Sequence, residues 1–425
     1  MLRSLFSGIS GLQAHQTKLD VVGNNIANVN TVGYKSSTTV FEDTLSQVMR
    51  NGSAPSADGA GTNPAQVGLG VQVAGITTNF GQGSAQSTGR SKDFMITGDG
   101  FFVTKSGNQQ LYTRAGSFDT DGAGQLVTPD GSILQGWMSD ASGAIDTNSP
   151  VQNLSIPQGG TLAPEATSNS SFSGNLSADA PRTAFEVSIP TYDSLGTVHQ
   201  LSYKYEPVAA DPQAWTVTVL DGTTPVPVSG AAGGPTAAAG TATLTFDAAT
   251  GKMTGTSATA PATFTIKPTG ANWPAGGVTV DVSGLAQYGG KTTAAAKTPA
   301  TGAGSAIGTL ESFSLSNDGT ITGLYSNGLK KTIGQVAMAT FTNPGGLEKA
   351  GNSSYRAGDN SGTPQIGLAG TGGRGELTSG ALEMSNVDLA QEFTGLIIAQ
   401  RGFQANSKVI TTSDEILQTL VQMKQ

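Results

Sequence analysis

Large apolar residues recur every seven positions at both ends of the chain: Leu5, Leu12, Leu19 and Ile26 at one end, and Leu389, Leu396, Phe403, Ile410 and Leu417 at the other. A seven-residue period keeps one stripe of an α-helix turned toward a partner helix. The pattern therefore predicts a helix over residues 2–29 and another over 382–423, paired with each other as a coiled coil. Ile9 widens the first stripe, and Phe393 and Val421 the second. Gly8, Gly11 and Gly23 interrupt the first helix. Each costs about 1 kcal/mol relative to alanine, so this helix needs its partner. Asn28, Asn30 and Gly33 then supply stop signals. The alternate seam positions are expected at Gln16, Gly23, Gln400, Ser407 and Asp414. A single pair with such a seam buries only a thin apolar stripe, and additional copies of the chain would complete it. The plainer alternative is a helical hairpin that caps a domain and does nothing else.

Between the helices the period falls to two. Val71 and Val73, Phe94 and Ile96, Phe101 to Val103, and Ile133 and Leu134 read as short strands, punctuated by Asp99-Gly100, Ser106-Gly107-Asn108 and Pro129-Asp130-Gly131. A second set follows, with Phe185, Val187 and Ile189, then Leu201, Tyr203 and Tyr205, then Trp215, Val217 and Val219. The first style returns from Ile307 to Tyr355. The expected fold class is mixed and multidomain: paired terminal helices plus two nested, mainly antiparallel β domains. The boundaries read as a terminal assembly domain at 1–33 and 378–425, linkers at 34–66 and 359–377, a first β domain at 67–143 and 307–358, and an inserted outer β domain at 144–306. Tracts of Ala, Gly, Pro and Thr at 223–241 and 291–306 are expected to be surface loops.

Composition narrows the chemistry. Among 425 residues there are 59 glycines, no cysteine and two histidines, with a formal net charge of −8. Without cysteine there are no disulfides, thiolate metal sites or cysteine nucleophiles. His15 and His199 sit in unrelated segments, so a catalytic triad or histidine-rich metal site lacks material. No cofactor or metal is expected, and no enzyme. The acidic balance and the absence of a basic run argue against nucleic acid. No stretch of about 18 apolar residues occurs, so no membrane insertion is expected. Polar residues from Gln13 to Asp20 break what would have to be the apolar core of a signal peptide. Gly370, Gly372 and Gly375 match a dinucleotide fingerprint, but no buried strand precedes them and a linker accounts for them. Asp119, Asp121 and Gly122 open like a calcium loop that no acidic residue closes, so a hairpin tip is expected there.

Two segments carry a resemblance. Asn24, Asn25, Ile26, Asn28, Asn30, Thr31, Gly33, Tyr34 and Lys35 fall in a run that resembles the N-terminal signature of the bacterial flagellar rod and hook proteins. Gly380 to Leu389, with Gln400-Arg401 and Gln404-Ala405-Asn406, is similar to the C-terminal signature of that family, and Gly98-Asp99-Gly100-Phe101-Phe102 to an internal element. The large insertion and Tyr192-Asp193-Ser194-Leu195-Gly196 favour the hook branch over the shorter rod proteins. The resemblance implies a subunit of a curved, hollow, flexible tube, a universal joint that passes torque from rod to filament and lets exported subunits through. It implies a helical homopolymer in the hook and basal body, outside the cell after leaderless type III export. The partners it implies are the chain itself, the distal rod protein, the hook cap, the hook–filament junction protein and the export gate. Phe41 and Leu45 match the family's short export-gate pattern, though two residues packing four apart on a short helix would look the same. The alternatives are another axial protein of the distal rod or junction, or a secreted β-rich adhesin or surface-layer protein.

Overall fold

The computed structural model describes residues 2–52, 54, 60–140, 142–157, 159–230, 236–238, 240–254, 262–268 and 272–423. The chain forms two units: Met1–Pro157, Phe313–Gly323 and Lys331–Gln425 make the first, and Gln158–Ser312 and Leu324–Lys330 the second. Helices at both ends with β structure between them is the expected class.

In the first unit, α1 spans Leu2–Ala27 and α2 spans Leu389–Gln422. They run antiparallel, with Gly8 beside Ile410, Gly11 beside Asn406, Val22 beside Gly395 and Asn25 bonded to Glu392. The second helix starts later than its apolar pattern suggests. Asp388 caps it, accepting from the Ala390 and Gln391 amides at 2.8 and 3.3 Å, a contact worth about 1 kcal/mol. The residues just before belong to strands: Glu376–Ser379 pairs with Phe94–Thr97, and Ala381–Glu383 with Ala85–Ser87. Leu382 and Glu383 are buried there, and a short apolar run reads the same in a buried strand as in a helix.

The segment expected to be a linker after α1 is an antiparallel ribbon. Ser37–Asp43 pairs with Val71–Thr78, and Ser46–Arg50 with Ala65–Gly68. Its first half lies along α1, where Ser10 Oγ accepts from the Val71 amide at 3.3 Å. The β domain beside it is built on Phe101–Ser106 and Gln109–Thr113, a hairpin turning through Gly107 at φ +58°. Ile133–Met138 extends this sheet on one side and Ser354–Arg356 on the other. Phe101, Val103, Tyr112, Trp137, Ala339, Phe341 and Tyr355 form one core of the unit. Residues 144–157, expected in the insertion, fold here instead. Gln152–Asn153 pairs with Ile133–Met138, and Leu154 and Ile156 are buried.

The second unit contains two sheets that share one core. Phe185–Tyr192, Val198–Pro207, Ala214–Asp221 and Thr241–Phe246 follow one another antiparallel. In the other sheet Asn169–Ser177 runs parallel to Val278–Tyr288, an exception to the antiparallel rule. Trp215, Tyr203, Tyr205, Phe172 and Phe264 fill the space between. The tract at 291–306 is more than a loop: Ala295–Lys297 pairs with Asn169–Ser177, and Ala294 is buried. In the tract at 223–241, Val228–Gly230 pairs with Thr263–Ile266, while residues 231–235 and 239 lie outside the described residues.

Candidate assembly site

Residues from the two signature segments meet at a buried ion cluster. Lys35 Nζ donates to Glu383 Oε1 at 2.7 Å and to the Gly81 carbonyl at 2.8 Å, and both charged side chains have no exposed surface. Glu383 also accepts from the Gly83 amide at 2.9 Å and from Arg114 Nη1 at 3.4 Å. Burial lowers the Lys35 pKa from its ordinary value, opposed by the hydrogen bond and charge of Glu383. Such a pair adds little net stability over an apolar pair, but removing one partner strands the other. The Glu383 carbonyl accepts from the Gly33 amide at 2.8 Å. Gly33 sits at φ +67°, where a Cβ would lie 2.5 Å from the Ala115 nitrogen, so only glycine fits.

Asparagines stitch the remaining backbone together. The Asn25 side chain accepts from the Ser37 amide at 3.0 Å and donates to the Ser37 carbonyl at 2.8 Å and to Glu392 at 2.9 Å. Asn386 does the same across the gap, accepting from the Ser36 amide and donating to the Asn79 and Gly81 carbonyls. Tyr34 donates to Asn24 at 2.7 Å; burial, and then Glu392, raises its pKa. Thr31 donates to Asn28 at 3.1 Å, in the turn that closes α1, while Asn30 is exposed.

The helix seam differs from its expected form. It is lined by small residues: Gly8, Gly11 and Ala14 on α1, and Gly395, Ala399, Gly402 and Ser413 on α2. A Cβ at Gly402 would stand 2.5 Å from the His15 ring, and one at Gly11 2.6 Å from Asn406 Nδ2. Gly8 and Gly11, which weaken an isolated helix, are what let α2 approach. Gln16, Gly23, Gln400 and Asp414, expected in the seam, are exposed, and among the described residues nothing lies within 4 Å of a Cβ at Gly23. Leu5, Leu12, Leu19, Ile26, Leu396, Phe403, Ile410 and Leu417 are half-buried rather than enclosed. Leu12, Leu396 and Phe403 each follow a seam residue by one position and so flank the contact, while Ile410 of the same row packs on Gly8.

A large apolar surface remains outside. Leu389, Phe393, Ile397, Ile398, Val409, Ile416 and Val421 on α2 are 41–68% exposed, and Phe6 and Ile9 on α1 are 64% and 38% exposed. Ile397, Ile398, Val409 and Ile416 lie off the register of the Leu389–Leu417 row, and so does the small seam, which keeps the seven-residue period one position earlier; the spacing of Gly395, Ala399, Gly402 and Asn406 by fours and threes was its available signal. Phe41 lies on a strand, not a short helix. Its ring packs edge-on against His15 at 5.8 Å, while Leu45 is 86% exposed. Asp121 accepts from the Ala123 and Gln125 amides, the geometry of a hairpin tip. No helix among the described residues is long and apolar enough to cross a membrane.

Comparison with known proteins gives this arrangement a context. Four family models match in order: "Flagella basal body rod protein" at 5–35, "Flagellar hook protein FlgE/F/G D1 domain" at 95–163, "Flagellar basal body protein FlaE D2 domain" at 166–300, and "Flagellar basal body rod FlgEFG protein C-terminal" at 378–423. The chain is 40% identical over 448 residues to the flagellar hook protein FlgE of Borreliella burgdorferi, and 39% over 466 residues to that of Treponema pallidum, each alignment covering the whole of both chains. It is also 33% identical over 425 residues, again with full coverage, to the flagellar basal-body rod protein FlgG of Bacillus subtilis. With hook proteins aligned to it from end to end, the chain belongs to the flagellar hook protein family.

Proposed function

We propose that this chain, a structural subunit of the bacterial flagellar hook, polymerises by burying the exposed flanks of its α1–α2 pair against neighbouring copies. The tube so formed transmits torque from rod to filament and bends as it turns. One observation carries the reading: the seam within the pair is already closed by small residues, yet large apolar side chains on both helices face outward. So many large apolar side chains left exposed on one helix pair mark an interaction site. Their spread along α2, from Leu389 to Val421, suits contacts that slide among arrangements of similar energy while the tube flexes. The rod, hook cap and junction proteins are proposed as its neighbours at the two ends of the polymer.

The test substitutes exposed residues, so that folding is spared. Ile397→Lys with Ile398→Lys is expected to change unfolding by less than about 0.5 kcal/mol and to abolish tubes in electron micrographs of the purified chain. Normal tubes from that variant would reject the proposal. Phe41 and Leu45 are proposed to engage the export gate before the chain folds. Alanine at both positions is then expected to lower secretion without impairing polymerisation of purified protein, and unchanged secretion would leave Phe41 with only its packing against His15.

A further inference from the structure

The chain contains two Asn-Gly pairs, Asn51-Gly52 and Asn327-Gly328, and the fold treats them in opposite ways. In such a pair the glycine nitrogen can attack the side-chain amide carbon of the asparagine, because glycine has no Cβ to obstruct the approach. The nitrogen gives its proton to hydroxide and a C–N bond closes a cyclic imide. The asparagine side-chain nitrogen leaves as ammonia, taking a proton from water. Water then opens the imide at one carbonyl to give aspartate, or at the other to give isoaspartate, in which the backbone runs through the former side chain. Only water and hydroxide are consumed along the way.

Asn327 is held out of this reaction. It sits in the turn between Thr320–Tyr325 and Lys330–Val336, and both ends of its amide are tied. Its Nδ2 donates to the Ala306 carbonyl at 2.9 Å, and its Oδ1 accepts from the Leu329 amide at 3.1 Å. The nitrogen that would attack is engaged as well, since the Gly328 amide donates to the Tyr325 carbonyl at 2.8 Å. Opening all of these bonds before the ring can close slows the reaction by roughly a hundredfold.

Asn51 has no such restraint. It lies just past Ser46–Arg50, whose ribbon with Ala65–Gly68 is exposed at every residue. A two-stranded ribbon without a core is marginally stable in water, so its backbone can reach the attacking conformation. Asn51 and Gly52 are both exposed, and among the described residues neither the Asn51 side chain nor the Gly52 amide has a hydrogen-bond partner.

We infer that Asn51 is a site of spontaneous covalent modification, where the folded chain exchanges an amide for a carboxylate as it ages. The product carries an added negative charge beside Arg50, and the isoaspartyl form also lengthens the backbone of the ribbon by one methylene.

The test follows both asparagines in one sample. The full chain is kept in mildly alkaline buffer, digested at acidic pH where the reaction stops, and mapped by mass spectrometry. The Asn51 peptide is expected to gain the mass difference between an acid and an amide, faster as hydroxide rises, while the Asn327 peptide lags by roughly a hundredfold. In urea, where the fold no longer distinguishes them, the two should convert at similar rates. Asn51→Gln, an exposed change, should remove the main acidic species that ion-exchange chromatography separates from the aged native chain. An Asn51 that stays intact in the native chain, or an Asn327 that converts alongside it there, overturns the assignment. None of these measurements involves polymerisation, so their outcome is separate from that of the assembly proposal.

Discussion

The second unit and the terminal helix pair place their large side chains in opposite ways. Trp215, Tyr203 and Tyr205 of the second unit have no exposed surface, and two sheets close over them. In the helix pair Ala399 is completely buried and Ala14 nearly so, while Phe393, Ile397 and Ile398 are more than half exposed. Burying a large apolar side chain stabilises a fold by about 1.5–3 kcal/mol. The second unit collects that stabilisation within its own core. The helix pair leaves most of its large side chains partly uncovered, and fixes its own geometry with glycines and hydrogen-bonded asparagines instead.

Three substitutions test this contrast. Trp215→Ala is expected to have the largest effect, a loss of about 3–5 kcal/mol, seen as earlier unfolding of the second unit. Tube formation by the helices should persist at temperatures where that unit stays folded. A mutant whose helices lose assembly in parallel would show that the two regions are not energetically separate. Lys35→Met should cost about 3 kcal/mol, since Glu383 keeps Arg114 and the Gly83 amide but loses its nearest counter-charge. Adding Glu383→Leu should restore part of the loss; no recovery in a denaturant titration would mean that the pair contributes more than mutual neutralisation. Gly402→Ala should have the smallest effect, because helix propensity favours alanine by about 1 kcal/mol while crowding against His15 costs about 1–3 kcal/mol. A net gain in stability would show that the backbones do not need to be so close.

Legibility in the sequence followed the physics of each signal. The helices at both ends were readable because a seven-residue apolar period held over several turns lines up one face of a helix and no face of a strand. Their true seam was not, because hydrophobicity draws attention to leucine while backbone proximity depends on residues with almost no side chain, such as Gly11 and Gly402. The strands of the first β domain and of the second unit were visible in their alternation and turn residues. The boundary at Pro157 was hidden because Leu154 and Ile156 sit just beyond a polar stretch and carry no mark of which sheet they join. Glu383 could not be singled out, since a lone acid in Ala381-Leu382-Glu383-Met384 gives no sign that its partner is near the other end of the chain. Asn28 and Asn30 were readable as helix stop signals, but Asn24 and Asn25 were recognised only by resemblance; the work of Asn25 as a backbone mimic, pairing to Ser37, emerges from three dimensions.

Lys35 and Glu383 are separated by 348 positions in the chain. A polypeptide cut short anywhere in that interval would keep an ammonium deep in its interior with no carboxylate to meet it, and would also lack the strand that shelters it. Seating both charges therefore requires segments from near both ends of the chain, the same ends that carry the two paired helices.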